Sequence, residues 1–143
     1  MKLTPICEIR MHYTWLDYVD YGAGGQYVGT LDGTVTGDRL RGTLKSVNVA
    51  AKRPDNVNCP AMRGIIVTDD GAKIYFELNG IALLRPEDKA RVFTTTLSLR
   101  TGDARYAWVN NTLGAAEGIL NTTTDQALIR AFACENELAT VPV

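Results

Sequence analysis

Long apolar runs are missing from this chain. Its unbroken hydrophobic stretches extend only a few residues, far short of the roughly 20 that a bilayer-spanning helix needs, so no membrane segment is expected. Histidine is nearly missing too. A lone His12 leaves no His cluster, no HExxH pattern and no carboxylate triad for a transition metal, and no GxSxG elbow marks a serine hydrolase; neither metal nor cofactor is expected. Cysteine is sparse. Cys7, Cys59 and Cys134 are odd in number, widely separated and without CxxC or Cys/His zinc spacing, which reads as reduced, buried thiols. Nor is there a basic excess. With 15 Lys+Arg against 16 Asp+Glu, a net charge of −1 and the basic residues dispersed, a nucleic-acid or anionic-membrane surface is not expected. Gly22-Ala23-Gly24-Gly25 precedes no helical pattern and lacks the P-loop lysine, which argues against a phosphate cradle. Met1-Lys2-Leu3 leads straight into alternating residues with no apolar signal core. The cytoplasm is the expected compartment.

What is present is alternation. The 143 residues, 45% hydrophobic and 22% charged, fit one domain spanning 1–143 with a real core. From Pro5 to Trp15, Cys7, Ile9, Met11, Tyr13 and Trp15 share one face and Glu8, Arg10, His12 and Thr14 the other, the period of a half-buried strand. Leu16 to Gln26, rich in Asp, Tyr and Gly, reads as a flexible loop at the mouth of a site. Short β-branched runs then follow, joined by turns at Asp32-Gly33 and Gly37-Asp38. Ala51 to Pro60 is irregular, with Pro54 and Pro60 excluding a central strand. Ala61–Thr68 and Ala72–Leu83 form a hairpin across Asp69-Asp70-Gly71, and Arg85–Arg91 is the most helix-like short piece. Val92–Arg100, Thr112–Leu120 and Ala127–Glu135 complete the strands. The pattern predicts an all-β fold, a single antiparallel β-barrel of about 8–10 short strands with at most short helical turns.

Four motifs carry a resemblance. Gly33-Thr34-Val35-Thr36-Gly37-Asp38-Arg39-Leu40-Arg41-Gly42-Thr43, Arg53-Pro54-Asp55, Thr68-Asp69-Asp70-Gly71-Ala72-Lys73-Ile74-Tyr75 and Thr101-Gly102-Asp103-Ala104-Arg105-Tyr106-Ala107-Trp108-Val109-Asn110 stand in the order and spacing of a bacterial and fungal family. The chain resembles the family catalogued as domain of unknown function 3237. That resemblance implies a compact antiparallel barrel, often dimeric, with no assigned general reaction. In one interval the chain departs from the family's pattern. Where members often carry a Gly-Gly-Ala-Asp-Trp-like segment, this chain reads Leu44-Lys45-Ser46-Val47-Asn48-Val49-Ala50-Ala51-Lys52, with Asn48 the nearest polar substitute for the Asp.

Alternation leaves two arrangements open. If the polar faces point inward they line a hydrogen-bonding pocket; if outward, Ile9, Met11, Leu40, Leu44, Ile74, Phe76 and Leu78 fill the core. Asp38, Asp69 and Asp70 fit turns, and Asp103 fits the cap of a helical turn into Arg105-Tyr106-Ala107-Trp108. For an inward pocket the candidate catalytic groups are Tyr75 or Tyr106 as proton donor and His12 or Asp103 as acceptor. Arg41 or Arg100 would hold an anionic group, Trp15 and Trp108 would pack on a ring, and Asn110 would add a polar contact. The expected ligand is a small, partly apolar organic molecule, aromatic or polyketide-like. The expected chemistry is a cofactor-free isomerisation, cyclisation, dehydration or lyase step; a non-catalytic carrier is the alternative, and a purely structural dimerisation module without a cavity a third reading. A homodimer, implied mainly by the resemblance, would use Leu97, Leu99, Ile129 and Phe132.

Overall fold

The computed structural model describes all residues, Met1–Val143. Nine strands run in chain order: β1 (Lys2–Gly22), β2 (Gly24–Thr36), β3 (Gly42–Lys52), β4 (Asn58–Cys59), β5 (Ala61–Thr68), β6 (Lys73–Leu84), β7 (Arg91–Arg100), β8 (Leu113–Asn121) and β9 (Gln126–Glu135). A 3-10 helix, Ala104–Asn111, joins β7 to β8. All pairings are antiparallel, and the ring β1-β2-β3-β5-β6-β7-β8-β9 closes back on β1, with the short β4 wedged between β3 and β6. The predicted barrel is the one observed. Closure pairs backbone groups that an open sheet would leave at its edges.

Alternation decides what lies inside. On β3, Leu44, Ser46, Asn48 and Ala50 are buried while Thr43, Lys45, Val47 and Val49 face outward. Ile9, Leu40, Leu44, Ile66, Ile74, Phe76, Leu78 and Ile129 are each at most 1% exposed, so the apolar faces do fill the core, each side chain contributing on the order of 1.5–3 kcal/mol. The barrel has two unlike ends. The β1–β2, β6–β7 and β8–β9 turns and the β3–β5 connection gather at one, the mouth; the β2–β3 and β5–β6 turns and the 3-10 helix gather at the other. Val109 of the helix is 1% exposed, and Tyr106 and Trp108 pack against the core, so this end is plugged.

Three local expectations are corrected. Leu16–Gln26 is not a loop: β1 continues for 21 residues and turns at Gly22 and Gly24, both at positive φ, into β2. Asp32-Gly33 is not a turn either. Gly33 lies mid-strand opposite Met11, and a Cβ there would come within 2.9 Å of the Met11 Cβ, so the glycine serves a close strand approach. Arg85–Ala90 forms a hairpin loop rather than a free-standing helix: its helical content is a single turn, with the Lys89 N–H donating to the Arg85 carbonyl, and the loop is closed by the Arg85 N–H donating to the Ala90 carbonyl and by Arg85 ion-paired to Asp88. Of the four residues suggested for dimerisation, three are not on the surface. Leu97, Leu99 and Ile129 belong to the core, because the period-two face they occupy is the inward one.

Candidate functional site

Two hollows compete as the site. The larger, about 810 Å³, is an open groove on the outer wall that includes Arg10, His12, Asp32, Arg85 and Asp88; five of its sixteen lining residues are hydrophobic. The smaller, about 270 Å³, lies inside the barrel at its mouth, and eleven of its seventeen lining residues are hydrophobic. Ligand sites are concave, mostly apolar and carry a few placed polar groups, so the inner cavity is the better built despite its size. Its walls come from all eight ring strands, β9 contributing Ala127. Met11 and Tyr13 stand on β1, Leu31 on β2, Asn48 and Ala50 on β3, Met62 on β5, Ala82 on β6, Phe93 on β7 and Leu120 on β8, while Leu16 and Tyr27 close the rim from the β1–β2 arm.

The polar groups inside follow from the same alternation. Asn48 projects inward between Leu44-Ser46 and Ala50 and is 7% exposed. Its Oδ1 accepts the Ala61 backbone N–H at 3.1 Å, and its Nδ2 donates to the Tyr13 hydroxyl at 2.8 Å. The Ala61 amide can only donate, which fixes the carboxamide's orientation. Tyr13 Oη is therefore an acceptor from Asn48 and keeps its own proton for another partner. Burial holds the Tyr13 hydroxyl protonated above its ordinary range; the Asn48 hydrogen bond pulls the other way, and the nearby Asp125 carboxylate raises it further. Asn58, on β4, adds a second carboxamide whose Oδ1 is buried with no hydrogen-bond partner. Arg91 and Asp125 stand at the mouth, and one Arg91 guanidinium nitrogen donates to the Asn56 carbonyl at 2.5 Å. Phe93 packs over Gly118, where a Cβ would fall 2.1 Å from the ring's Cζ.

None of the nine site residues expected from the sequence lines this cavity. His12 points outward into the open groove beside its cross-strand partner Asp32. Trp15 is 53% exposed, because a bulge between Tyr13 and Trp15 shifts the strand's phase by one residue and turns Leu16 inward in its place. Tyr75 and Arg100 are outward register partners on β6 and β7, and Arg41 is exposed with its carbonyl accepting the Asp69 N–H. The remaining four are gathered at the plugged end. Asp103 caps the 3-10 helix, accepting the Arg105 N–H at 2.9 Å, and its carboxyl is held below the ordinary range by the Arg105 guanidinium. Tyr106 donates to Asp70 at 2.9 Å; that carboxyl is held low first by the Thr68 hydroxyl and then by Tyr106. Trp108 lies under the Arg39 guanidinium, 3.8 Å from the ring centroid. Asn110 bonds both the N–H and the carbonyl of Thr101 at 2.9 Å. These partners account for the four as a clamp that holds the helix on the barrel.

The cavity's own residues were partly legible. Tyr13 stands on the apolar stripe of β1, where its hydroxyl is a polar tip on a face otherwise made of Cys7, Ile9, Met11 and Trp15. Asn48 shares a period-two face with Leu44 and Ala50, which marks a polar side chain aimed at a core. Asn58, between prolines in an irregular stretch, carries no such signal.

Comparison places the chain among known folds. The family profile described as protein of unknown function (DUF3237) matches residues 1–134. A protein with unknown function from Clostridium acetobutylicum ATCC 824 superposes with a TM-score of 0.84 at 21% identity, covering 94% of this chain and 97% of the other. A beta-barrel like protein from Acinetobacter baumannii AYE gives 0.82 at 19% identity, covering 94% and 96%. An enzyme from Penicillium herquei gives 0.72 at 18% identity, covering 94% of each chain. No curated protein sequence matches. At these identities the shared property is the fold.

Proposed function

The chain belongs to the family of proteins of unknown function numbered DUF3237, and from that premise we propose that it is a small-molecule-binding barrel whose ligand enters the mouth cavity. One observation carries this reading: a mostly apolar hollow holds a buried tyrosine hydroxyl, oriented by Asn48, with an uncommitted proton. The chemistry suited to it is a cofactor-free proton transfer on a small aromatic or polyketide-like substrate. Tyr13 donates to a carbonyl oxygen as negative charge develops there, and Asp125 at the rim takes a proton from the adjacent carbon, the steps of an isomerisation, cyclisation or elimination. The Penicillium herquei neighbour, described as an enzyme, supports a catalytic reading of the fold. The predominance of apolar walls favours a second reading, a carrier that binds the same class of molecule without turning it over.

A test is to incubate the folded protein with a metabolite extract and identify retained compounds by mass spectrometry. Retention that is lost in Ala82→Leu, which fills the cavity, and kept in His12→Ala supports the cavity; retention indifferent to Ala82→Leu overturns it. Folding of both variants is checked by circular dichroism. We further propose a cytoplasmic homodimer. Three unpaired cysteines suit a reducing compartment, and the outward strip Val47, Val49, Ile65 and Val67, each 40–49% exposed, offers a second copy an apolar face. Sedimentation of Val49→Glu against wild type tests the dimer. No helix is long and apolar enough to cross a membrane.

A further inference from the structure

Resting on the cavity reading above, we infer that the ligand is an uncharged, compact compound bearing both a carbonyl and a hydroxyl group. The size follows from the hollow. About 270 Å³ corresponds to roughly nine water molecules at about 30 Å³ each, room for a compact molecule the size of a substituted six-membered ring.

The polarity follows from what the interior leaves unpaired. Tyr13 Oη already accepts from Asn48, so it can satisfy its proton only by donating, which selects an acceptor such as a carbonyl oxygen. Asn58 Oδ1 is buried without a partner, and the Asn58 side chain makes no hydrogen bond that would fix which way its amide faces. A ligand hydroxyl both donates and accepts, so it satisfies that carboxamide in either orientation. A buried polar atom left bare carries its full desolvation cost, so a ligand that completes both groups gains over an apolar one of the same shape.

The charge follows from what the interior lacks on its walls. Met11, Leu31, Met62, Phe93 and Leu120 offer nothing to a buried ion, while the rim sets one Arg91 against one Asp125 and so favours neither sign. An ion drawn into such a site loses its water without gaining a partner charge.

Titration calorimetry with four probes of one ring size tests this: para-hydroxyacetophenone, acetophenone, ethylbenzene and para-hydroxybenzoate. The wild type is expected to bind para-hydroxyacetophenone best, acetophenone about tenfold more weakly, and ethylbenzene and the anionic benzoate weakest. Asn58→Leu should reduce para-hydroxyacetophenone to the level of acetophenone and leave acetophenone unchanged. Tyr13→Phe should weaken both ketones about tenfold and leave ethylbenzene unchanged. If ethylbenzene or para-hydroxybenzoate binds the wild type as tightly as the hydroxyketone, the ligand class is overturned while the cavity reading stands. If none of the four binds, the cavity reading falls and the ligand class with it. The wild-type ranking decides the matter even if a variant fails to fold.

Discussion

At the scale of single residues, Asn48 is the side chain on which most depends. It joins three elements, β3 through its own backbone, β5 through the Ala61 N–H and β1 through Tyr13. Asn48→Ala strips a buried amide and a buried phenol of their partner at once, and the expected cost is about 2 kcal/mol in denaturant unfolding. A loss under a few tenths of a kcal/mol would mean that water replaces the carboxamide without penalty. Burial acts on ionisation as well. The Cys7 thiol is pushed from 9.0 up to about 12 by desolvation, and Tyr13 is raised from 10.0 by the same cause. Both hold their protons longer in the folded state than in the unfolded chain, so the stability they contribute is whole below pH 9.0 and is lost as pH rises, that of Cys7 as pH climbs toward about 12. Unfolding free energy should therefore fall between about pH 9 and 12, with a shallower fall in Cys7→Ala. A pH-independent stability across that interval would contradict the burial of these groups.

Among the elements, β1 shows how far alternation can be followed and where it stops. Its inward face from Cys7 through Met11 to Tyr13 was plain in the sequence, as was the hairpin of β5 and β6 across Asp69-Asp70-Gly71. Trp15 broke the pattern because a bulge adds a residue without changing composition, and no spacing in the sequence announces it. Gly33 misled for a related reason. Next to Asp it has the chemistry of a turn, yet its use is to let β1 and β2 come close, a property of the partner strand rather than of the local sequence. The stretch Thr101–Asn111, conspicuous for its aromatics and charges, was legible as a capped helical turn, and the cap is there. That such a cluster closes the barrel instead of opening it depends on which end it reaches. At the opposite end, Gly118 of β8 gives room to the Phe93 ring of β7. Gly118→Ala should drive that ring into the cavity, costing about 1–3 kcal/mol by overpacking and weakening ligand binding together with it. Destabilisation without any change in affinity would mean that Phe93 moves outward and is not a cavity wall.

The whole molecule is a barrel with one end closed and one end open, and this asymmetry is what separates the two candidate regions. Closure itself was legible, since every strand is amphipathic and linked antiparallel to its neighbours. The polarity of the ends was not, because it arises from strand lengths: β1 and β2 overrun their neighbours and carry Leu16 and Tyr27 over the mouth, while the helix seals the far end with Val109. The central claim is that a ligand enters at Tyr13 and Asn48. The most direct measurement is a two-dimensional amide NMR titration with para-hydroxyacetophenone. Shifts concentrated on Tyr13, Asn48, Asn58, Ala61 and Leu120, with Asp103 to Asn110 and His12 unmoved, are the predicted result. Shifts concentrated instead at Tyr106 and Trp108, or along the outer groove at His12, Asp32 and Gln126, would contradict it.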